Sequence, residues 1–242
     1  MNAGTTQRCF VLVPGLWHGG WSWDRVAPLL RERGHTVIAI TQTGVGERSH
    51  LLSKDIQVST FVDDVVNTLF WRDLRDVVLV GHSFGGIAIT GAADRVPERI
   101  GKLIYLDAAV VESGETWLGL LPDDIAAARK KTANESSNGV SLPVPPLSSI
   151  DITEPTDVDF LQARLTPHPF STFTTPLTLT HPVGNGLPVE YITCVGPVYQ
   201  PAIQAHDRAR AKGWRISELH TSHEAMVTLP SETAALLDSL SR

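Results

Sequence analysis

The sequence predicts an α/β fold in which a mainly parallel sheet is flanked by helices and interrupted by one inserted cap. Three observations carry this expectation. Short apolar runs of strand length alternate with segments of helical period over residues 9–107 and again over 189–242, as βαβ units require. Between these stretches the alternation breaks, and residues 110–188 hold 10 of the chain's 16 prolines. Within the first stretch, Gly81-His82-Ser83-Phe84-Gly85 stands between an apolar run and a segment rich in small residues. The expected organisation is a core made of residues 1–109 and 189–242, with residues 110–188 as a lid inserted into it.

Taken in order, residues 9–13 form the first strand, ended by Pro14-Gly15. After a Trp- and Gly-rich loop, residues 23–33 place Val26, Leu29 and Leu30 on one helical face, with Gly34 as the stop. Residues 36–40 make the next strand, and helical spacing returns over 58–69. The strand at 77–80 leads into Ser83 and a tightly packed helix, and residues 102–107 form another strand ending in Asp107. Proline density in 110–188 argues against long regular elements there, apart from a helix over residues 122–131. The strand pattern resumes at 189–194, followed by a helix at 201–212, a strand at 214–219 and a closing helix from Pro230. No internal repeat is visible.

Composition narrows the function classes. The 242 residues suffice for one large α/β domain with a sizeable core. A hydrophobic content of 42% with 19% charged residues fits a folded soluble chain. The net charge of −6 disfavours nucleic acid or an anionic membrane as partner, and no apolar stretch is long enough to span a bilayer. A small-molecule substrate is the expected partner, with the protein a monomer or a homodimer. Residues 1–8 lack the charged start and apolar middle of a leader peptide. Cys9 and Cys194, both in strand-like runs, read as packing residues, so a cytoplasmic location is expected.

Strand, Gly-x-Ser-x-Gly, helix is the context of a nucleophile elbow. The chain must reverse within a couple of residues and present a hydroxyl at the tip, and glycines at both ends avoid a Cβ collision. A serine hydroxyl is a weak nucleophile near neutral pH and needs a base within hydrogen-bond reach. Late in the chain, His220-Thr221-Ser222-His223-Glu224 offers two histidines. His220 abuts the strand, whereas His223 lies mid-loop and can reach the sheet edge, so His223 is preferred. Their H-x-x-H spacing has no accompanying ligand set, so no metal site is expected.

The stretch from Val11 to Trp23, the elbow, and Ser222-His223-Glu224-Ala225-Met226 together resemble the α/β-hydrolase group of plant methyl-ester esterases and hydroxynitrile lyases. Bacterial members of that group include esterases acting on carbamate or pyrethroid pesticides. The resemblance implies the α/β-hydrolase fold, a cofactor-free Ser/His/Asp hydrolase and an aromatic-lined pocket under a small cap. It also implies an oxyanion site made by the backbone amides of Phe84 and Leu16. Gly15 would let the substrate approach; Trp17 and His18 would wall the pocket with Trp117 and Phe173 from the cap. Trp21 and Trp23 are open to a plain core role.

Two departures stand out. The family's usual acid, just after the penultimate strand, would fall at Val195–Pro197, where the sequence has none. Asp107, at the end of the preceding strand, resembles the placement in some haloalkane dehalogenases and lipases; Glu112 is the next candidate. Pro14 replaces the first histidine of the common oxyanion motif, leaving the backbone role intact. The lyases typically carry Thr in that loop and Lys after the catalytic histidine, where this chain has Gly15 and Glu224. The expectation is therefore a serine hydrolase of small apolar or aromatic esters, carbamates or lactones. A cofactor-free lyase and a non-catalytic ligand receptor on the same fold are the alternatives.

Overall fold

The structure, a computed structural model, describes residues 7–242. Most of the N-terminal stretch read for a leader, residues 1–6, therefore lies outside the described residues. The chain runs β1 (Cys9–Val13), α1 (Ala27–Glu32), β2 (Thr36–Ala39), α2 (Val58–Trp71), β3 (Val77–His82), α3 (Gly85–Arg95) and β4 (Ile100–Leu106). The intervening segment holds α4 (Asp123–Ser137), β5 (Ser141–Leu142), α5 (Pro155–Gln162), β6 (His168–Pro169) and α6 (Ser171–Thr174). The sheet pattern then closes with β7 (Val189–Cys194), α7 (Ile203–Ala211), β8 (Arg215–Leu219), α8 (Ala225–Thr228) and α9 (Pro230–Leu240).

Six strands make one sheet in the order β2-β1-β3-β4-β7-β8, every neighbouring pair parallel. Helices cover both faces, so the central strands must be apolar on both sides. Val11, Leu79, Leu103 and Tyr105 point into one core, packed under α2 and α3. Phe10, Leu12, Val78, Val80, Ile104 and Leu106 alternate into the other, with Leu30 of α1 and Leu237 of α9. This period of two explains why these strands read as uninterrupted apolar runs. All six residues of β3 are buried, which holds the turn after it on a rigid support.

Two elements differ from expectation. The helix expected over 23–33 is a single 3-10 turn, Gly20–Trp23, followed by a shorter α1 whose first turn carries Pro28. Proline has no amide hydrogen to donate, so a helix can begin at Pro28 but cannot run through it. In the proline-rich segment, α4 runs 15 residues to Ser137 rather than stopping near 131, and ends at Asn138 with φ 52°. Prolines do not break the helices of this segment because they stand at their starts: Pro122 precedes α4, and Pro155 opens α5. β5 and β6 add a two-stranded antiparallel ribbon.

Candidate active site

The C-terminal edge of the parallel sheet collects the ends of β1, β3, β4 and β8, the place where open α/β sheets bind ligands. β3 ends at His82, and Ser83 takes φ 52° before α3 starts at Gly85. A left-handed, non-glycine residue is strained and persists because its surroundings hold it. Here the Ser83 amide donates to Leu106 O (3.2 Å), and the Ala109 amide donates to Ser83 O (2.9 Å). A Cβ at Gly85 would sit 2.7 Å from Pro14 O, so α3 can enter this close to β1 only as glycine. Gly15 faces the elbow in the same way: a Cβ there would lie 2.8 Å from Ser83 Cβ. Its place in the sequence-derived pocket is thus one of close packing against Ser83.

Ser83 Oγ lies 2.8 Å from His223 Nε2, and His223 Nδ1 lies 2.6 Å from Asp107 Oδ2. With its proton held on Nδ1 by the carboxylate, the ring leaves Nε2 to accept from the serine hydroxyl. His223 sits in the loop between β8 and α8 and is buried, whereas His220 is exposed and outside this line. Asp107 follows β4 directly; its own amide donates to Ile192 O (2.7 Å), extending the ladder with β7. Glu112, the alternative acid, pairs instead with Lys212 Nζ at 2.6 Å.

Electrostatics favour this arrangement. Burial alone would push the Asp107 carboxyl up, but hydrogen bonds from His206 and His223 outweigh it and hold the group below its usual range. Burial works to keep His223 neutral, yet the Asp107 hydrogen bond and charge, with Glu224 behind, raise its pKa above the ordinary value. His82 Nε2 donates to the His223 carbonyl at 2.9 Å, fixing the backbone of the loop; burial drops its own pKa to about 4, so it stays neutral. Tyr199 stacks on the His223 ring, centroids 4.2 Å apart.

The loop after β1 is tied at the peptide joining Leu16 and Trp17. His18 Nδ1 donates to Leu16 O at 2.6 Å, and the Trp17 amide donates to His168 Nδ1 at 3.2 Å, with Trp17 at φ 66°. His168, pushed down to about 3 chiefly by burial, is neutral and free to accept. Among the described residues, the amides of Leu16 and Phe84 have no hydrogen-bond partner. Their neighbour at Trp17 is already committed.

A cavity of about 20 Å³ touches Ser83, Asp107 and His223, walled by Leu16, Ala109, Trp117, Tyr199 and Ala205. Past Tyr199 and Pro201 lies a larger groove of about 860 Å³, lined by Leu120, Ile125, Ile150 and Ile203. Of the expected pocket residues, Trp117 lines the cavity. Phe173 does not; it is buried and stacked on Phe84. Trp17 is turned toward β5, its indole N–H donating to Leu142 O, and His18 is buried beneath the loop with Nε2 3.4 Å from Glu224. Trp23 is wholly buried in the core. Among the described residues, His82, His223 and Glu224 bring possible metal ligands within 4.8 Å of one another, but both ring nitrogens of His223 are engaged.

Sequence reasoning missed His206, His168 and Tyr199. His206 and His168 pair with residues 99 and 151 positions away, so no local spacing marks them. Tyr199 lies in the loop after β7, where a search for an acid passes over an aromatic ring.

Comparison with known proteins agrees with this architecture. The pattern of the Alpha/beta hydrolase family matches residues 10–236. A carbendazim hydrolyzing esterase of Nocardioides sp. (strain SG-4G) is 35% identical over 243 residues, covering 96% of this chain and 98% of that one. Alpha-hydroxynitrile lyase of Arabidopsis thaliana is 37% identical over 100 residues, 41% of this chain and 39% of that protein. Among solved structures, an extracellular alpha/beta-hydrolase from a Paenibacillus species superposes with a TM-score of 0.84 at 22% identity, over 97% of this chain and 99% of that chain. No helix of the described residues is long and apolar enough to cross a membrane. The six-stranded parallel sheet, the strained serine turn on its edge and an esterase relative matched along nearly the whole length agree: the chain belongs to the alpha/beta hydrolase family.

Proposed function

We propose that this carboxylesterase-like enzyme is a serine hydrolase that cleaves small apolar or aromatic esters, carbamates or lactones through an acyl-enzyme on Ser83. The observation that carries the reading is the unbroken line from Ser83 Oγ through His223 to Asp107, lying beside two unpartnered amides. Ser83 Oγ attacks the carbonyl carbon while His223 Nε2 takes its proton, and Asp107 stabilises the resulting imidazolium. The Leu16 and Phe84 amides receive the developing oxyanion. The tetrahedral species then expels the leaving group, which takes the proton from His223. Water, deprotonated by His223, hydrolyses the acyl-Ser83 ester by the same steps in reverse order.

The segment 110–188 acts as the cap in this reading, and Trp117 brings it to the substrate. The narrow space at Ser83 suits a small group on one side of the scissile bond, and the wider groove beyond Tyr199, lined by Ile125, Ile150 and Ile203 together with Arg129, Asp151 and Asp207, suits a larger one on the other. The similarity to the carbendazim hydrolyzing esterase of Nocardioides sp. supports this substrate class. A lyase of the hydroxynitrile type would want a cation beside the departing anion. The residue after His223 is Glu224 instead, buried with its carboxyl 3.4 Å from His18 Nε2 and outside the lining of the space at Ser83, so this position supplies no cation.

The test is turnover of p-nitrophenyl acetate by the wild type and by Ser83→Ala, with a sulfonyl fluoride as covalent probe. The variant should lose activity by about 10⁴-fold or more. Mass spectrometry should find the sulfonyl group on Ser83. A variant within tenfold of wild type, or labelling elsewhere, would overturn the assignment.

A further inference from the structure

Asp107 carries two histidines, and the hydrolytic steps use one. On Oδ2 stands His223 Nδ1 at 2.6 Å; on Oδ1 stands His206 Nε2, also at 2.6 Å, with the Cys194 amide at 3.1 Å. His206 comes from α7 and is buried, its ring held edge-on to Tyr191 with centroids 5.7 Å apart. Tyr191 is fixed in turn by donating its hydroxyl hydrogen to Ala108 O at 2.8 Å. The second histidine thus belongs to a packed network and is no surface accident.

We infer that His206 is a positioning residue for the reaction, holding Oδ1 of Asp107 together with the Cys194 amide so that Oδ2 is aimed at His223. The inference rests on the proposed serine-hydrolase reading. Asp107 needs such support because of where it stands. It follows β4 at φ 45°, a left-handed position for a side chain, rather than in the loop after β7. From that seat a carboxylate free to turn about its Cβ–Cγ bond could offer either oxygen, or neither, to the imidazole. Two donors on Oδ1, from the end of β7 and from α7, and one on Oδ2 leave a single orientation. Charge-assisted hydrogen bonds to a buried carboxylate are the strong kind, and losing one leaves the acceptor under-satisfied.

There is an electrostatic consequence with a definite sign. The groups facing His223 are Ser83, the Asp107 carboxylate, Glu224 on its own loop, His82 from β3 and Tyr199 from the β7–α7 loop. His206 reaches it only through Asp107, by fixing which oxygen faces the ring. Removing that donor frees the carboxylate to turn, so Oδ2 is no longer held against Nδ1 and the imidazolium loses part of its support. The pKa of His223 should therefore fall, and the acidic limb of the activity profile should move to lower pH.

The test compares the intact wild-type enzyme with His206→Leu and His206→Gln. Three quantities are read: kcat and KM on p-nitrophenyl acetate across pH, the NMR titration of ring-labelled His223, and the melting temperature. His206→Leu should lower kcat about tenfold or more with KM within about twofold, and shift both pH readouts downward. His206→Gln, whose amide can still donate to Oδ1, should restore kcat and return both readouts toward wild type. If His206→Leu loses activity only in step with its folded fraction, with the His223 titration unmoved, His206 is a packing residue and the inference fails. Should the leucine variant not fold, His206→Gln against His206→Asn decides, since the shorter side chain cannot reach; equal behaviour of the two overturns it. The NMR titration does not depend on turnover, so failure of the serine-hydrolase reading, seen as an active Ser83→Ala, is distinguishable from failure here.

Discussion

The sheet edge and the segment over residues 110–188 are built by different physics. At the edge, position is set by backbone. The Ser83 amide bonds Leu106 O, and the Asp107 amide bonds Ile192 O, so the backbone beneath both side chains continues the strand ladder. In the segment, contact with the sheet edge is carried mostly by side chains. One backbone bond, from the Thr166 amide to Trp17 O, joins it to the loop after β1. Beside it stand the Trp17 indole to Leu142 O and the Trp17 amide to the His168 ring, with Phe84 lodged among Trp117, His168 and Phe173. A backbone ladder tolerates little displacement, whereas aromatic packing can be rearranged at modest cost. In the proposed mechanism the chemistry falls to the edge and substrate choice to the segment. Substitutions at the two places should then fail in different ways.

The strongest way to break the comparison is at the base. His223→Ala should cost about 10⁴–10⁶ in kcat, as loss of a nucleophile–base partner does, while His220→Ala should remain near wild type. The pair measured on one ester decides between them, and a dead His220→Ala would move the base off the buried loop. The wild-type profile adds a sign. In the proposed mechanism His223 works only when neutral, and Asp107 raises its pKa above the ordinary imidazole value of about 6.5. Activity should therefore climb with pH through a midpoint above that value, and a midpoint below it would deny the Asp107 contribution.

Next in size is the acid. Asp107→Asn preserves shape, yet its amide can present a hydrogen to Nδ1 and so favour the wrong imidazole tautomer. A drop of about 10⁴ in kcat is expected, with KM little changed. The substitution also sharpens the comparison, because the main-chain bond from residue 107 to Ile192 does not depend on the side chain. The edge should keep its geometry while losing its chemistry. A loss no greater than tenfold, measured with an unaltered melting temperature, would remove Asp107 from the reaction.

How far each region could be read from sequence follows the same division. Strand ends are legible because apolar runs of period two stop at them, so Ser83 and Asp107 could be placed on the edge, and Val195–Pro197 could be seen to lack an acid. The loop after β1 was legible as a stretch, but its internal wiring was not: His18 and His168 tie one peptide from opposite sides, which only the folded chain brings about. The segment was least legible. Proline count suggested irregular chain, whereas prolines at helix starts permit α4 and α5. Trp117 and Phe173 looked equivalent because composition ranks aromatics by size and says nothing of which face they turn to the cavity.

Those two residues give the smallest effect and the sharpest test of the division. Trp117 is half-buried and lines the space at Ser83, while Phe173 is buried behind Phe84. Trp117→Ala removes a wall without opening the core. It should leave melting nearly unchanged and alter kcat/KM between an acetate and a bulky aryl ester by about tenfold, the lower end of what apolar pocket contacts discriminate. Phe173→Ala removes a filled core position and should cost about 3–5 kcal/mol of stability. Its remaining folded fraction should discriminate between the two esters as wild type does, because Phe173 stacks behind Phe84 and does not line the space at Ser83. Ratios of kcat/KM for the two esters, set beside thermal melts, separate the outcomes. If Phe173→Ala changed the ester ratio and Trp117→Ala changed only the melt, the cavity wall would be assigned to the wrong aromatic and the cap's contact with substrate would have to be redrawn.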